Sequence, residues 1–239
     1  MGPLVVELIP TALGIVLSPL AIMALVAVLL SRLARVNGIA YLIGWAIGLG
    51  GLLVLFIWIF QLLDLRPHSG TPPAWVAVVR LILGVLFVCG AIWVYRKGAG
   101  RIRRMAAAST PKEVARAATL PGWLQSVSTF KPLRSLLLGV GLFVLNPVDA
   151  SCAIVAALDI AQADITATEA ALAAIGFWTV GILPIAVPVI WMLVAGAKAQ
   201  PTLDALRTWI AGHTHVLNAA LLLVIGVLQL QKAASALIS

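Results

Sequence analysis

The chain has 239 residues, of which 62% are hydrophobic and only 10% charged, with a mean hydropathy of +1.12. Soluble domains carry about 25% charged and 45–50% apolar residues, so this composition excludes a water-soluble domain and leaves an integral membrane protein. The formal net charge of +8 is concentrated. Arg96, Lys97, Arg101, Arg103, Arg104, Lys112, Arg116 and Lys131 fall in one stretch whose only acid is Glu113. That is the pattern of a cytoplasmic loop under the positive-inside rule, not of a nucleic-acid surface, and it also suits anionic lipid head groups.

Six apolar segments are long enough, at about 20 residues, to span hydrocarbon. They lie near residues 4–30, 37–60, 73–95, 133–160, 169–196 and 214–236. The first is too long for a signal-peptide core and reads as a retained helix. It is interrupted by Leu17-Ser18-Pro19-Leu20. Proline removes a backbone donor and disturbs the carbonyl a turn earlier, so a break is expected there. The overlong first, fourth and fifth segments are expected to tilt or break at Pro10, Pro19, Pro147, Pro184 and Pro188. Gly44, Gly48 and Gly51 in the second segment, with Gly176 and Gly181 in the fifth, predict close helix contacts.

Arg80 stands about eight residues into the third segment, near enough to its end to snorkel outward. A structural ion pair with Asp159 or Asp64, which lie at similar depth, is the expected use. After the basic stretch, Trp123, Leu124, Val127 and Phe130 share one face of a short amphipathic helix expected to lie on the cytoplasmic surface. The fourth segment carries the sharpest feature, Leu145-Asn146-Pro147-Val148-Asp149-Ala150. A carboxylate at the bilayer centre costs roughly 2.5–3.5 kcal/mol, so it faces a cavity or a partner. Two readings of Asp149 follow. It is a proton-coupling or polar-substrate site, or it is a hydrogen-bonded acid packed against Ser18 or Asn146.

Segments 1–3 and 4–6 read as two copies of one unit. Both first segments break at a proline, and Leu81-Ile82-Leu83-Gly84-Val85-Leu86 resembles Leu223-Val224-Ile225-Gly226-Val227-Leu228. A unit with an odd number of spans inserts its second copy upside down, the plan of many secondary transporters. The predicted fold is therefore an all-α integral membrane protein of six transmembrane helices. Residues 1–95 form the first repeat, 96–132 the basic cytoplasmic loop with its interfacial helix, and 133–239 the second repeat.

The run from Pro121-Gly122-Trp123 through Lys131-Pro132 to Asn146-Pro147 resembles the glycopeptidolipid- and sulfolipid-addressing (GAP) family. Leu17-Ser18-Pro19, Gly44-Trp45 and Leu206-Arg207-Thr208-Trp209-Ile210 are similar to it as well, so the likeness covers nearly the whole chain. It implies a six-span actinobacterial plasma-membrane protein, distantly related to the lysine-exporter superfamily, that helps move a cell-envelope glycolipid alongside a larger lipid transporter. One departure stands out. Members often follow Asn-Pro with lysine and asparagine, where this chain has Val148 and Asp149.

No nucleophile elbow, phosphate loop or metal-ligand spacing occurs, so the chain reads as a transporter and not an enzyme, with no cofactor and no metal. Ser18, Pro19, Asn146, Pro147 and Asp149 are the candidate substrate and coupling residues. Trp123, Lys131 and Arg134 are the candidate head-group contacts at the cytoplasmic interface. Expected partners are membrane lipids, the glycolipid itself, a larger lipid transporter and a second copy of the chain. A small polar-solute exporter and a non-transporting accessory subunit are the alternatives. Lysine and arginine placement puts both termini outside. Cysteines introduced in 98–120 should therefore resist an impermeant maleimide in intact cells, whereas cysteines in 65–72 should react; the opposite pattern inverts the topology.

Overall fold

A computed structural model describes residues 1–29, 31, 33–63, 74–106 and 131–238, and these residues form helices without a strand. In chain order they are α1 (Gly2–Val16), α2 (Pro19–Leu29), α3 (Ala34–Leu62), α4 (Ala74–Ala106), α5 (Pro132–Leu145), α6 (Pro147–Gln162), α7 (Ala167–Ala195) and α8 (Gln200–Ile238). A short 3-10 turn, Gly196–Ala199, joins α7 to α8, and its Gly196 takes φ 56°, a conformation that favours glycine. The interfacial helix expected around Trp123 lies outside the described residues, as does Asp64.

Four stretches are long and apolar enough to cross a membrane: α3, Trp75–Arg96 of α4, α7, and Val216–Ala236 of α8. The pairs α1–α2 and α5–α6 meet the same test when each is taken as one bent span, the bends being 43° and 67°. The protein is thus a multi-pass membrane protein with four to six spans. Isoleucine, leucine, valine and tryptophan side chains line the outside, among them Val54, Trp58, Ile82, Leu86, Ile175 and Trp191. Such a surface is stable against acyl chains and not against water.

Both bends fall at prolines that open a new helix, Pro19 and Pro147. Pro10, Pro184 and Pro188 behave otherwise and sit inside continuous helices, so of the tilts or breaks expected at the five prolines only Pro19 and Pro147 give breaks. The difference is local chemistry. Asn146 is extended (φ −77°, ψ 111°), as a residue before proline prefers, and its side chain caps the next helix by accepting from the Val148 N–H at 3.2 Å. Pro184 has no such cap before it. There Trp45 of α3 donates its indole N–H to the Gly181 carbonyl at 3.1 Å, tying α7 to α3 one turn before Pro184.

The broken helices occupy the centre. Along α6, Cys152, Ala153 and the run from Val155 to Ala161 are all buried, and α2 buries Ala24, Leu25, Val26, Val28 and Leu29. Around them α3 clasps α5 and α7, while α4 packs chiefly on α8. Small residues set these distances. A Cβ on Gly44 would lie 2.1 Å from the Leu136 carbonyl oxygen, and one on Gly139 would lie 2.4 Å from that of Tyr41, so α3 and α5 touch backbone to backbone. Gly48 and Gly181 also face neighbouring helices, but Gly51 and Gly176 have nothing within 4 Å of a built Cβ. The glycine stripe is thus a helix contact at three of the five expected positions. Gly44→Ala should lower stability in mixed micelles by about 1–3 kcal/mol, the cost of overpacking. Gly51→Ala should gain about 0.5–1 kcal/mol from helix propensity. Denaturant titration of both variants checks the pair, and equal effects would contradict the α3–α5 contact.

Candidate functional site

The two breaks meet. Ser18, between α1 and α2, donates its hydroxyl to Asp149 Oδ2 of α6 at 2.9 Å, joining residues 131 apart in sequence. Asn146 donates its amide to the same oxygen at 2.5 Å. Asp149 is the third residue of α6, where the exposed amides of a helix start favour negative charge. The Asn-Pro-Val-Asp sequence therefore does three things at once: the proline starts the helix, the asparagine caps it, and the carboxylate is held over its first turn.

Asp149 is completely buried, and its second oxygen, Oδ1, has no hydrogen-bond partner. A buried acceptor left unpaired is uncommon and costly. With both donors on Oδ2, Oδ1 is the atom at which a proton or a ligand donor would bind. One turn further along α6, Cys152 is fully buried, and a Cβ on Gly14 of α1 would come within 2.6 Å of its sulfur. Tyr41, stacked near Trp45 with ring centroids 6.4 Å apart, donates to the Ala21 carbonyl just past the first break at 3.0 Å. Trp45 in turn meets Phe143 edge-on at 4.9 Å. This aromatic column closes the site on the α3 and α5 side.

Of the expected site residues, Ser18, Pro19, Asn146, Pro147 and Asp149 come together in this one place. Lys131 and Arg134 stand apart from it, exposed at the start of α5, and Trp123 lies outside the described residues. Arg80 and Asp159 form a separate cluster. Arg80 does not snorkel; its side chain is 7% exposed and lies 2.8 Å from Asp159. It also donates to Gln229 at 2.9 Å and to Gln162. Lys232 reaches the same Asp159 oxygen at 3.0 Å and Glu7 at 2.8 Å. Sequence reading missed Glu7, Gln162, Gln229 and Lys232. The signal was present in the last turns of α8, where Gln229, Gln231 and Lys232 interrupt an apolar run.

Ser18→Ala removes one of the two donors to Asp149 and should cost about 1–2 kcal/mol. Asn146→Leu removes the other donor together with the helix cap and should cost more, by about 1 kcal/mol. Because Ser18 acts through Asp149, its effect in an Asp149→Leu background should shrink toward zero, while Asn146→Leu should keep only the cost of the lost cap. A double-mutant cycle by denaturant titration measures this coupling, and full additivity would mean that Ser18 and Asn146 do not act through the carboxylate.

The comparisons with known proteins complete the site's context. Curated proteins and solved structures return no match. A family model described as Sap, sulfolipid-1-addressing protein, matches residues 8–235, a span that takes in both breaks, the Asp149 site and the Arg80 cluster apart from Glu7. Covering almost the entire chain, that match places this membrane protein in the sulfolipid-addressing protein family.

Proposed function

We propose that the chain is a transporter, not an enzyme, that takes part in moving a cell-envelope glycolipid across the plasma membrane, with Asp149 as its coupling or substrate-contacting group. The carrying observation is the meeting of two proline-broken helices at one buried carboxylate with a free oxygen. Broken helices that join near the middle of the membrane are where transporters place their sites. Family membership supplies the substrate class, since its model is described by the addressing of a sulfolipid.

An inverted-repeat plan would fit the same reading. If α1–α4 and α5–α8 are copies, contacts should come in exchanged pairs. Among the described residues α1 meets α6 and α7 while α5 meets α2 and α3, and the equivalent helices α4 and α8 pack on each other. The exchange is incomplete, since α8 also packs on α1 and α2 without an equally close packing of α4 on α5 and α6. At the α4–α8 crossing the contact is reciprocal: a Cβ on Gly84 would strike Leu230, four residues beyond Gly226, and a Cβ on Gly226 would strike Val88, four residues beyond Gly84. Reciprocity of this kind belongs to a two-fold relation. It falls within the repeated Leu-Ile-Leu-Gly and Leu-Val-Ile-Gly segments. Six spans with both termini on one side follow from this plan, the basic middle loop argues that this side is outside, and alternating access would rock one unit against the other around Asp149.

A specific observation favours a second reading. Asp149 is 0% exposed, as it would be in an accessory subunit that needs the carboxylate only to hold the breaks together. Reconstitution of the purified chain in liposomes separates the readings. A labelled envelope glycolipid should move between leaflets, and Asp149→Asn should reduce its rate by about tenfold or more while leaving insertion and monodispersity unchanged. Amino-acid flux without lipid movement would replace the proposal with a small-solute exporter, and movement of neither would favour the accessory role.

A further inference from the structure

A cavity of about 860 Å³ opens at the end of the bundle where α1 begins and α8 ends, away from the two breaks. Asp159, on its wall, lies ten residues along α6 from Asp149, roughly 15 Å at helical rise. The volume falls within the range of small-molecule sites, about 300–1,000 Å³. Its charged lining is Arg80 and Lys232 against Glu7, Asp159 and Asp164. Two basic side chains facing three acids, with the Met1 amino group beside them, leave no net positive charge to attract an anion. Both cations are also engaged, Arg80 with Asp159, Gln229 and Gln162, and Lys232 with Asp159 and Glu7.

What the wall offers instead is a mixture of donors and acceptors in planar pairs. The carboxylates accept, Gln162 and Gln231 do both, and Ser235 adds a hydroxyl. The Gln162 Nε2 is buried without a partner, a donor directed at no acceptor of the protein. Leu4, Val76 and Leu228 supply apolar wall between these groups. A ligand whose neighbouring hydroxyls each donate and accept, and whose ring carries apolar C–H faces, satisfies all of this without bringing charge. We propose that this cavity is a carbohydrate subsite, which takes the neutral sugar of a head group and not an acidic substituent.

The proposal rests on the glycolipid reading above only for the position of the rest of the molecule. A lipid's tails hold its head group at the bilayer, so the local sugar concentration is high and weak intrinsic affinity suffices. The subsite then serves the sugar while Asp149 serves the coupling step at the breaks.

The test uses the full chain in lipid nanodiscs, with maltose and inorganic sulfate as probes and saturation-transfer NMR as the readout. Maltose should bind saturably, and sulfate should not compete. Gln162→Leu and Gln231→Leu, which leave the ion pairs of Asp159 in place, should each weaken maltose binding about tenfold, as expected for loss of a buried hydrogen bond. Asp149→Asn should bind maltose as the parent does. Saturable sulfate binding in place of maltose, no maltose binding, or maltose binding that survives both glutamine substitutions would each overturn the proposal. Because the binding assay involves no flux, a chain that binds maltose yet moves no lipid sinks the transport reading alone.

Discussion

The shared Asp149 oxygen is the point on which the rest of the molecule depends. Hydrocarbon offers no water to satisfy a backbone opened by proline, so a broken helix must find its partners within the protein. Here Tyr41 donates to the Ala21 carbonyl past the first break and Asn146 accepts from the Val148 N–H at the second. Ser18 from the first and Asn146 from the second then tie the two together on the Asp149 carboxylate. With that convergence α2 and α6, the halves that follow the prolines, lie at the centre, and almost all of α6 is buried, while α1 and α5 keep exposed apolar sides at Val6 and Leu137. The unbroken helices α3, α4, α7 and α8, together with the outer sides of α1 and α5, form the wall toward lipid.

Close approach makes this arrangement possible. Glycine pairs at the α3–α5 and α4–α8 crossings replace side-chain contacts with backbone contacts, which suits a medium where apolar burial alone does not drive helices together. Indole donors then bridge α3 and α7 in both directions, Trp45 to Gly181 and Trp178 to Ala46. Such bonds join the two halves through directional contacts spread along the bundle.

The Arg80 cluster plays a related part at the other end of α6. Asp159 accepts from both Arg80 and Lys232, which belong to the mutually packed pair α4 and α8, while Glu7 of α1 holds Lys232. A buried carboxylate paired this way is strongly dependent on both partners, because removal of one leaves charge without compensation. The two polar centres therefore divide the work along one helix. One secures the breaks, and the other pins α4 and α8 to the core and borders the cavity.

Composition and hydropathy by themselves determined a multi-pass helical membrane protein, its apolar segments, and the positions of its breaks at Ser18-Pro19 and Asn146-Pro147. These are local properties: apolar length decides what crosses hydrocarbon, and a proline behind a capping residue decides where a helix restarts. The likeness to the sulfolipid-addressing family was legible for a similar reason, being carried by short motifs around those breaks. Only tertiary structure decided how α7 is held beside Pro184, where Trp45, distant in sequence, hydrogen-bonds the Gly181 carbonyl. It decided likewise that Gly44 meets a backbone and Gly51 meets nothing, because facing requires a neighbour and periodicity names none. The site itself was half legible. Sequence marked Ser18, Asn146 and Asp149 as costly residues in an apolar chain, but their sharing of one oxygen, and the joining of Glu7, Gln162, Gln229 and Lys232 around Arg80 and Asp159, arise from contacts between segments up to 225 residues apart.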